Sequence, residues 1–138
     1  MNGSEILEGK KILLCEDHPI NSQIVKALLE KQGMAVDTAD NGQIGLEMFT
    51  RSQLGEYAAI LMDLKMPVMD GIETTKAIRA LGRADAGSVP IVAMTASERE
   101  QDIRQALDAG MDRYMVKPVS PKPLYGLLAE LILEREEW

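Results

Sequence analysis

One cysteine and one histidine are all the thiolate and imidazole ligands that this sequence of 138 residues offers. Cys15 closes the apolar run Ile12-Leu13-Leu14-Cys15, where it reads as a small buried hydrophobe rather than a reactive thiol. A lone cysteine excludes an intramolecular disulfide, and this pairing of residues argues against the softer metals. No apolar run approaches the ~20 residues of a membrane span. The first residues, MNGSEILEGKK, lack the basic-then-apolar order of a signal peptide, so a cytoplasmic location is expected. Aromatic residues are only 4% of the chain, so the core must be aliphatic, with nine methionines contributing. Basic charge is also short: 15 Lys and Arg face 22 Asp and Glu, for a net charge of −7 and a pI of about 4.7. That balance argues against direct nucleic-acid binding, and it leaves cationic partners and divalent metals open.

What is present is an ordinary soluble composition, 46% hydrophobic and 27% charged, at a length suited to one domain. Apolar runs of strand length alternate with longer stretches of helical period. The strands are expected at Lys11–Cys15, Ala35–Ala39, Ala58–Met62, Val89–Met94 and Arg113–Val116. The first helix should turn Ile20, Ile24, Ala27 and Leu28 inward and stop at Gly33. Asn41-Gly42 is a hairpin signal in isolation, but the residues after it do not alternate, so it reads as a helix start. Asp70-Gly71 opens a further helix, with Thr74, Ala77, Ile78 and Leu81 inward. Ser97 and Glu100 read as a capping box for the next, whose inward residues are Ile103, Ala106 and Leu107 and whose end is Gly110. Ser120-Pro121 caps the last, where Leu124, Leu127, Leu128, Leu131 and Ile132 follow a helical stripe. Five β-α units in alternation imply an α/β domain with a parallel sheet covered by helices on both faces.

In such sheets, sites form beyond the carboxyl ends of the strands. The first strand is followed by Glu16-Asp17, the third by Asp63, the fourth by Thr95 and the fifth by Lys117. Each has a structural reading alone: a helix cap for Asp17, a turn for Asp63, a backbone bond for Thr95, a solvated surface for Lys117. Three carboxylates at one sheet edge, however, repel one another and raise at least one pKa unless a cation intervenes. The oxygen-only donor set suits a hard cation such as Mg²⁺, which takes one or two carboxylates plus water and phosphate oxygens. With a lysine and a threonine alongside, the set fits phosphoryl transfer to a carboxylate, and Asp63 is the best-placed nucleophile.

The segments LLCEDHPIN, ILMDLKMPVMDG, PIVAMTAS and YMVKP, in this order on these strand ends, resemble the receiver domain of two-component and phosphorelay signalling, the module of response regulators. The resemblance implies a flavodoxin-like, doubly wound (βα)5 fold of strand order 2-1-3-4-5, spanning residues 10–134 between tails at 1–9 and 135–138. It implies Asp63 as phosphoacceptor, Thr95 and Lys117 as phosphoryl contacts, and Mg²⁺ (or Mn²⁺) held by Glu16, Asp17, Asp63 and the backbone carbonyl of Lys65. Thr95 and Tyr114 would form the switch, and Lys117-Pro118 matches a peptide bond that is usually cis in such domains. The acid pair is Glu-Asp where many members have Asp-Asp. Lys65 and Ser97 occupy positions that tune hydrolysis of the acyl phosphate in the family.

The wording of PINSQIVKALLEKQG, ADNGQIGLEMF and IVAMTAS resembles receivers of hybrid histidine kinases most. The implied partners are a histidine kinase or a histidine phosphotransfer domain. No membrane contact is expected of this domain, although a parent hybrid kinase could be membrane-bound, and weak homodimerisation is allowed. A free-standing single-domain regulator is the alternative. An aspartyl-phosphate phosphatase of the HAD type is a weaker rival, because it would need an acid where Lys65 stands. His18 reads as a solvent-facing loop residue rather than a ligand.

Overall fold

Each apolar run becomes a strand, because only pairing satisfies its backbone while both faces are covered by helices. A computed structural model describes residues 3–136. The elements in order are α1 (Gly3–Leu7), β1 (Lys11–Cys15), α2 (Pro19–Glu30), β2 (Ala35–Ala39), α3 (Gly42–Arg51), β3 (Ala59–Asp63), α4 (Gly71–Arg79), β4 (Ile91–Thr95), α5 (Glu100–Ala109), β5 (Arg113–Val116) and α6 (Pro121–Glu136). The sheet runs β2-β1-β3-β4-β5, as expected, and every neighbouring pair is parallel. The chain reverses its direction of winding between β1 and β3, which opens a crevice at their carboxyl ends.

Alternation along the strands divides the core into two layers. Ile12, Leu14, Leu61, Val92 and Met94 pack with Val25 and Leu29 of α2 and with Leu124, Leu128, Leu131 and Ile132 of α6. Ile6 and Leu7 of α1 are buried in the same layer, so part of the segment read as an N-terminal tail is helical and packs on the core. Leu13, Cys15, Ile60, Met62, Ile91 and Ala93 pack on the other face with Phe49, Ile78 and Ala106 of α3, α4 and α5. Phe49 and Tyr57, whose rings stack 6.4 Å apart, are the aromatics of that layer, which is otherwise aliphatic as the composition required.

Several local expectations shift. β3 and β4 begin and end later than the apolar runs suggest, at Ala59–Asp63 and Ile91–Thr95. Ladder bonds rather than side-chain polarity decide a strand's end: Leu64 N–H still donates to Met94 O, and Lys117 N–H to Thr95 O. The buried face of α2 is carried by Val25 and Leu29, leaving Ile20 71% and Ile24 54% exposed instead of inward. Leu107 is likewise exposed. The Ser97–Glu100 capping box does not form. Helix α5 starts at Glu100, and Ser97 makes other bonds, described below. The helix starts at Asn41-Gly42 and Asp70-Gly71 are as expected: Asn41 accepts from Ile44 N–H, and Asp70 forms a complete capping box with Glu73.

Candidate functional site

The carboxyl ends of β1, β3, β4 and β5 bring together the residues that the sequence scattered over a hundred positions. Asp63 is the last residue of β3, paired with Met94 of β4 and buried. Its loop turns back sharply, and Gly71 is what permits the turn. A Cβ there would lie 2.3 Å from the Asp63 carbonyl oxygen and 2.9 Å from Leu64 Cα, so α4 can start this close only on a glycine. Gly71 N–H then donates to Leu64 O, and the Asp70–Glu73 box anchors the helix.

Lys117 holds the centre. Its ammonium lies 2.9 Å from Asp63 Oδ2 and 3.0 Å from Glu16 Oε2, and both carboxylates are buried. It is thus a paired, half-buried cation rather than a solvated surface residue. Burial raises the pKa of Asp63, the neighbouring Glu16 carboxylate raises it further, and the Lys117 hydrogen bond only partly opposes them. Burial also pushes Glu16 upward, but its contacts with Asp63 and Lys117 outweigh it and leave Glu16 lowered. Lys117 is raised, since the two acids overcome the burial that would lower it.

Glu16, Asp17, His18 and Asp63 each place a ligand atom within 4.8 Å of the others. Asp17 does not cap α2, whose N-cap His18 contributes no side-chain bond. Its buried Oδ1 accepts no hydrogen bond, although His18 Nδ1 stands 3.2 Å away. A buried carboxylate oxygen left without a donor is costly unless something cationic meets it. The donor set is three carboxylates, which fits a hard cation. His18 is exposed, as its loop position implied, but lies nearer this cluster than the sequence suggested. Asn21, which the sequence did not single out, donates to Glu16 Oε1 at 3.4 Å from the first turn of α2.

Thr95 closes the opposite side. It is buried, and its Oγ1 accepts from Ser97 N–H at 3.0 Å. Lys65 N–H approaches Asp63 Oδ1 at 3.3 Å, while its side chain is exposed. A cleft of about 570 Å³ opens over these groups, lined by Asp63, Lys65, Thr95, Ser97, Asp102 and Lys117 among others. Tyr114 on β5 is 43% exposed, and its neighbour across the β4–β5 pairing is Ala93 rather than Thr95. The Lys117-Pro118 peptide is cis.

Residues 12–129 match the family model described as the response regulator receiver domain. The chain belongs to that family. Receivers at similar distance occur in the hybrid signal transduction histidine kinase I of Dictyostelium discoideum, 35% identical over 93% of this chain. The sensor histidine kinase GacS of Pseudomonas protegens is 36% identical over 83% of it. These alignments cover 7% and 12% of the two kinases, so this receiver corresponds to a small part of each. Among solved structures, the receiver domain of sensor histidine kinase PA1611 from Pseudomonas aeruginosa superposes with a TM-score of 0.82 at 36% identity. The match covers 90% of this chain and 98% of that one, which holds a magnesium ion in its active-site cleft. The chemotaxis protein CheY4 of Vibrio cholerae shares the fold, with a TM-score of 0.81 at 27% identity and coverage of 89% and 98%. This receiver is thus a flavodoxin-like domain of phosphorelay signalling, homologous to those of hybrid histidine kinases.

Proposed function

We propose that Asp63 accepts a phosphoryl group from a phosphohistidine and that the acyl phosphate formed switches the domain between two conformations. The observation that carries this reading is Lys117 bridging Asp63 and Glu16 beside Thr95, at the mouth of a single cleft. In the transfer, a carboxylate oxygen of Asp63 attacks phosphorus in line with the leaving imidazole nitrogen. The P–N bond breaks as the P–O bond forms, through a loose transition state whose charge lies on the equatorial oxygens. Lys117 turns from carboxylate pairing to neutralising one of those oxygens. The Thr95 hydroxyl turns its proton away from Ser97 O, 3.5 Å away, and donates it to another. Glu16, Asp17 and Asp63, with the Lys65 carbonyl, would hold Mg²⁺, for which Mn²⁺ can substitute. A bound divalent ion would supply charge neutralisation during the transfer. The unsatisfied Asp17 Oδ1 supports this assignment.

Withdrawal of Thr95 into the cleft frees volume on the β4–β5 side, into which the exposed Tyr114 can turn. The face made by α5, β5 and α6 changes with it. Such a switch operates only if its two states lie within a few kcal/mol of each other. Homology to hybrid histidine kinases supports a parent protein of that kind, a cytoplasmic site, and onward transfer to a histidine phosphotransfer domain. The net charge of −7 supports a protein partner rather than nucleic acid.

The test is incubation with Mg²⁺ and a small acyl-phosphate donor, read by intact mass. One phosphoryl adduct is expected on the wild type and none on Asp63→Asn. No adduct on the wild type, or an equal adduct on the variant, refutes the reading.

A further inference from the structure

Local sequence rules fail at one point beside the cleft. Ser97 and Glu100 have the spacing of a capping box, yet Glu100 instead accepts from Arg104 at 2.6 Å, one turn on, away from Ser97. The Ser97 hydroxyl donates to Asp102 Oδ2 at 2.7 Å and accepts from Arg99 N–H at 3.1 Å. Its own N–H donates to Thr95 Oγ1. Asp102, in the first turn of α5, lines the same cleft as Asp63, Thr95 and Lys117. Departures from local consistency concentrate at functional sites. Here the departure fixes a hydroxyl at the mouth of the phosphoacceptor cleft.

A serine hydroxyl has one proton and two lone pairs. With the proton committed to Asp102 and one lone pair to Arg99 N–H, a single lone pair remains. We infer that Asp102 is a positioning residue for hydrolysis of the Asp63 acyl phosphate: it orients the Ser97 hydroxyl so that its free lone pair accepts a hydrogen bond from the attacking water. The inference rests on Asp63 being the phosphoacceptor and adds the residue that sets how long the phosphoryl group persists. In the step, the water oxygen attacks phosphorus opposite the Asp63 oxygen. The new O–P bond forms, the P–O bond to Asp63 breaks, and its electron pair returns to the carboxylate. The water's proton passes to a phosphate oxygen, so inorganic phosphate leaves with all atoms accounted for. A charge-assisted bond to a carboxylate is stronger than one to a neutral acceptor, and it orients the hydroxyl more firmly.

The experiment separates formation from loss of the adduct. Wild type, Asp102→Ala, Asp102→Asn and Ser97→Ala are phosphorylated with a small acyl-phosphate donor and Mg²⁺. Formation is timed by intact mass; the donor is then removed and decay is timed. Asp102→Ala and Ser97→Ala should each lengthen the adduct's half-life about fivefold, the loss of one ordinary hydrogen bond in the transition state. The Ser97→Ala/Asp102→Ala double variant should be no slower than either single one, since both act through one hydroxyl. Asp102→Asn keeps a neutral acceptor for Ser97 and should fall between wild type and Asp102→Ala, and formation rates should stay within about twofold throughout. Unchanged or faster decay in Asp102→Ala, additive effects in the double variant, or decay in Asp102→Asn as slow as in Asp102→Ala overturns the inference. So does slowing of formation in parallel with decay, which marks a loosened loop. In each case Asp63 remains the phosphoacceptor, whereas a wild type that forms no adduct overturns both readings.

Discussion

Replacing Lys117 by methionine tests the electrostatic account of the site most directly. Methionine keeps an unbranched, flexible side chain of similar reach and removes only the charge and the donors. The ammonium stands 2.9 and 3.0 Å from two buried carboxylates. At an effective dielectric of about 20, each attraction is worth roughly 5–6 kcal/mol before desolvation is counted. Removing one partner of a buried pair typically costs about 3–5 kcal/mol, because a bare charge is left inside. Asp63, whose pKa is already raised by burial and by Glu16, can take up a proton and relieve part of that cost. A loss of about 3 kcal/mol in metal-free buffer at pH 7 is therefore expected, measured by urea unfolding. A divalent cation that binds only the folded state adds about 2.7 kcal/mol at a hundred times its dissociation constant. With the competing ammonium gone, the variant should bind Mg²⁺ more tightly, so its deficit should shrink as Mg²⁺ is added. A variant as stable as wild type without metal, or a deficit of the same size with and without Mg²⁺, would refute the shared-cation account.

Three further outcomes follow from the geometry. Gly71→Ala forces a methyl group against the Asp63 carbonyl and Leu64 backbone, neither of which is a flexible side-chain end, so stability should fall by about 1–3 kcal/mol. The phosphorylation rate should fall with it, because Asp63 itself must move; chemical unfolding and adduct formation on the same sample check both. Cys15 is buried and its thiol is pushed up to about 12 by burial, so aromatic disulfide reagents at pH 8 should label it only at the rate of unfolding. Fast labelling of the native protein would contradict the packing described. Asp85 is buried and pairs with Arg83 at 2.6 Å. Burial alone would raise it, but the Arg83 bond and Gly55 N–H hold it below the ordinary carboxylate value. Its ionised form therefore stabilises the fold above the unfolded-state pKa of about 3.9, and that contribution is lost as pH falls through the lowered folded value. Asp85→Asn should cost about 1–3 kcal/mol at pH 7, and its difference from wild type should narrow below about pH 4. A gap independent of pH would show that the charge is immaterial.

Much of this molecule is legible along the chain, for reasons visible in particular elements. β3 announces itself because a strand buried on both faces must be continuously apolar, as Ala59 to Met62 are. The starts of α3 and α4 are equally plain, because Asn41 and Asp70 cap their own helices with local bonds. The functional residues stand out for a topological reason: in a parallel sheet all strand ends meet at one edge, so an acid, a hydroxyl and a lysine after successive strands must be neighbours. Rotation of α2 was not legible. Ile20, Ile24, Val25, Leu28 and Leu29 offer two overlapping apolar stripes, and only packing against the sheet selects Val25 and Leu29.

The sequence by itself therefore determined the order of elements from β1 onward, the parallel sheet, the aliphatic core and the group of residues that share the cleft. These depend on periodicity, caps and composition, which act over a few residues. Tertiary structure alone decided how those groups are used. It gave Lys117 to two carboxylates at once, left Asp17 Oδ1 without a donor, and took Ser97 from Glu100 for Asp102. Each of those outcomes depends on distances and desolvation between segments far apart in the chain or competing for one partner. Neither quantity is written in local pattern.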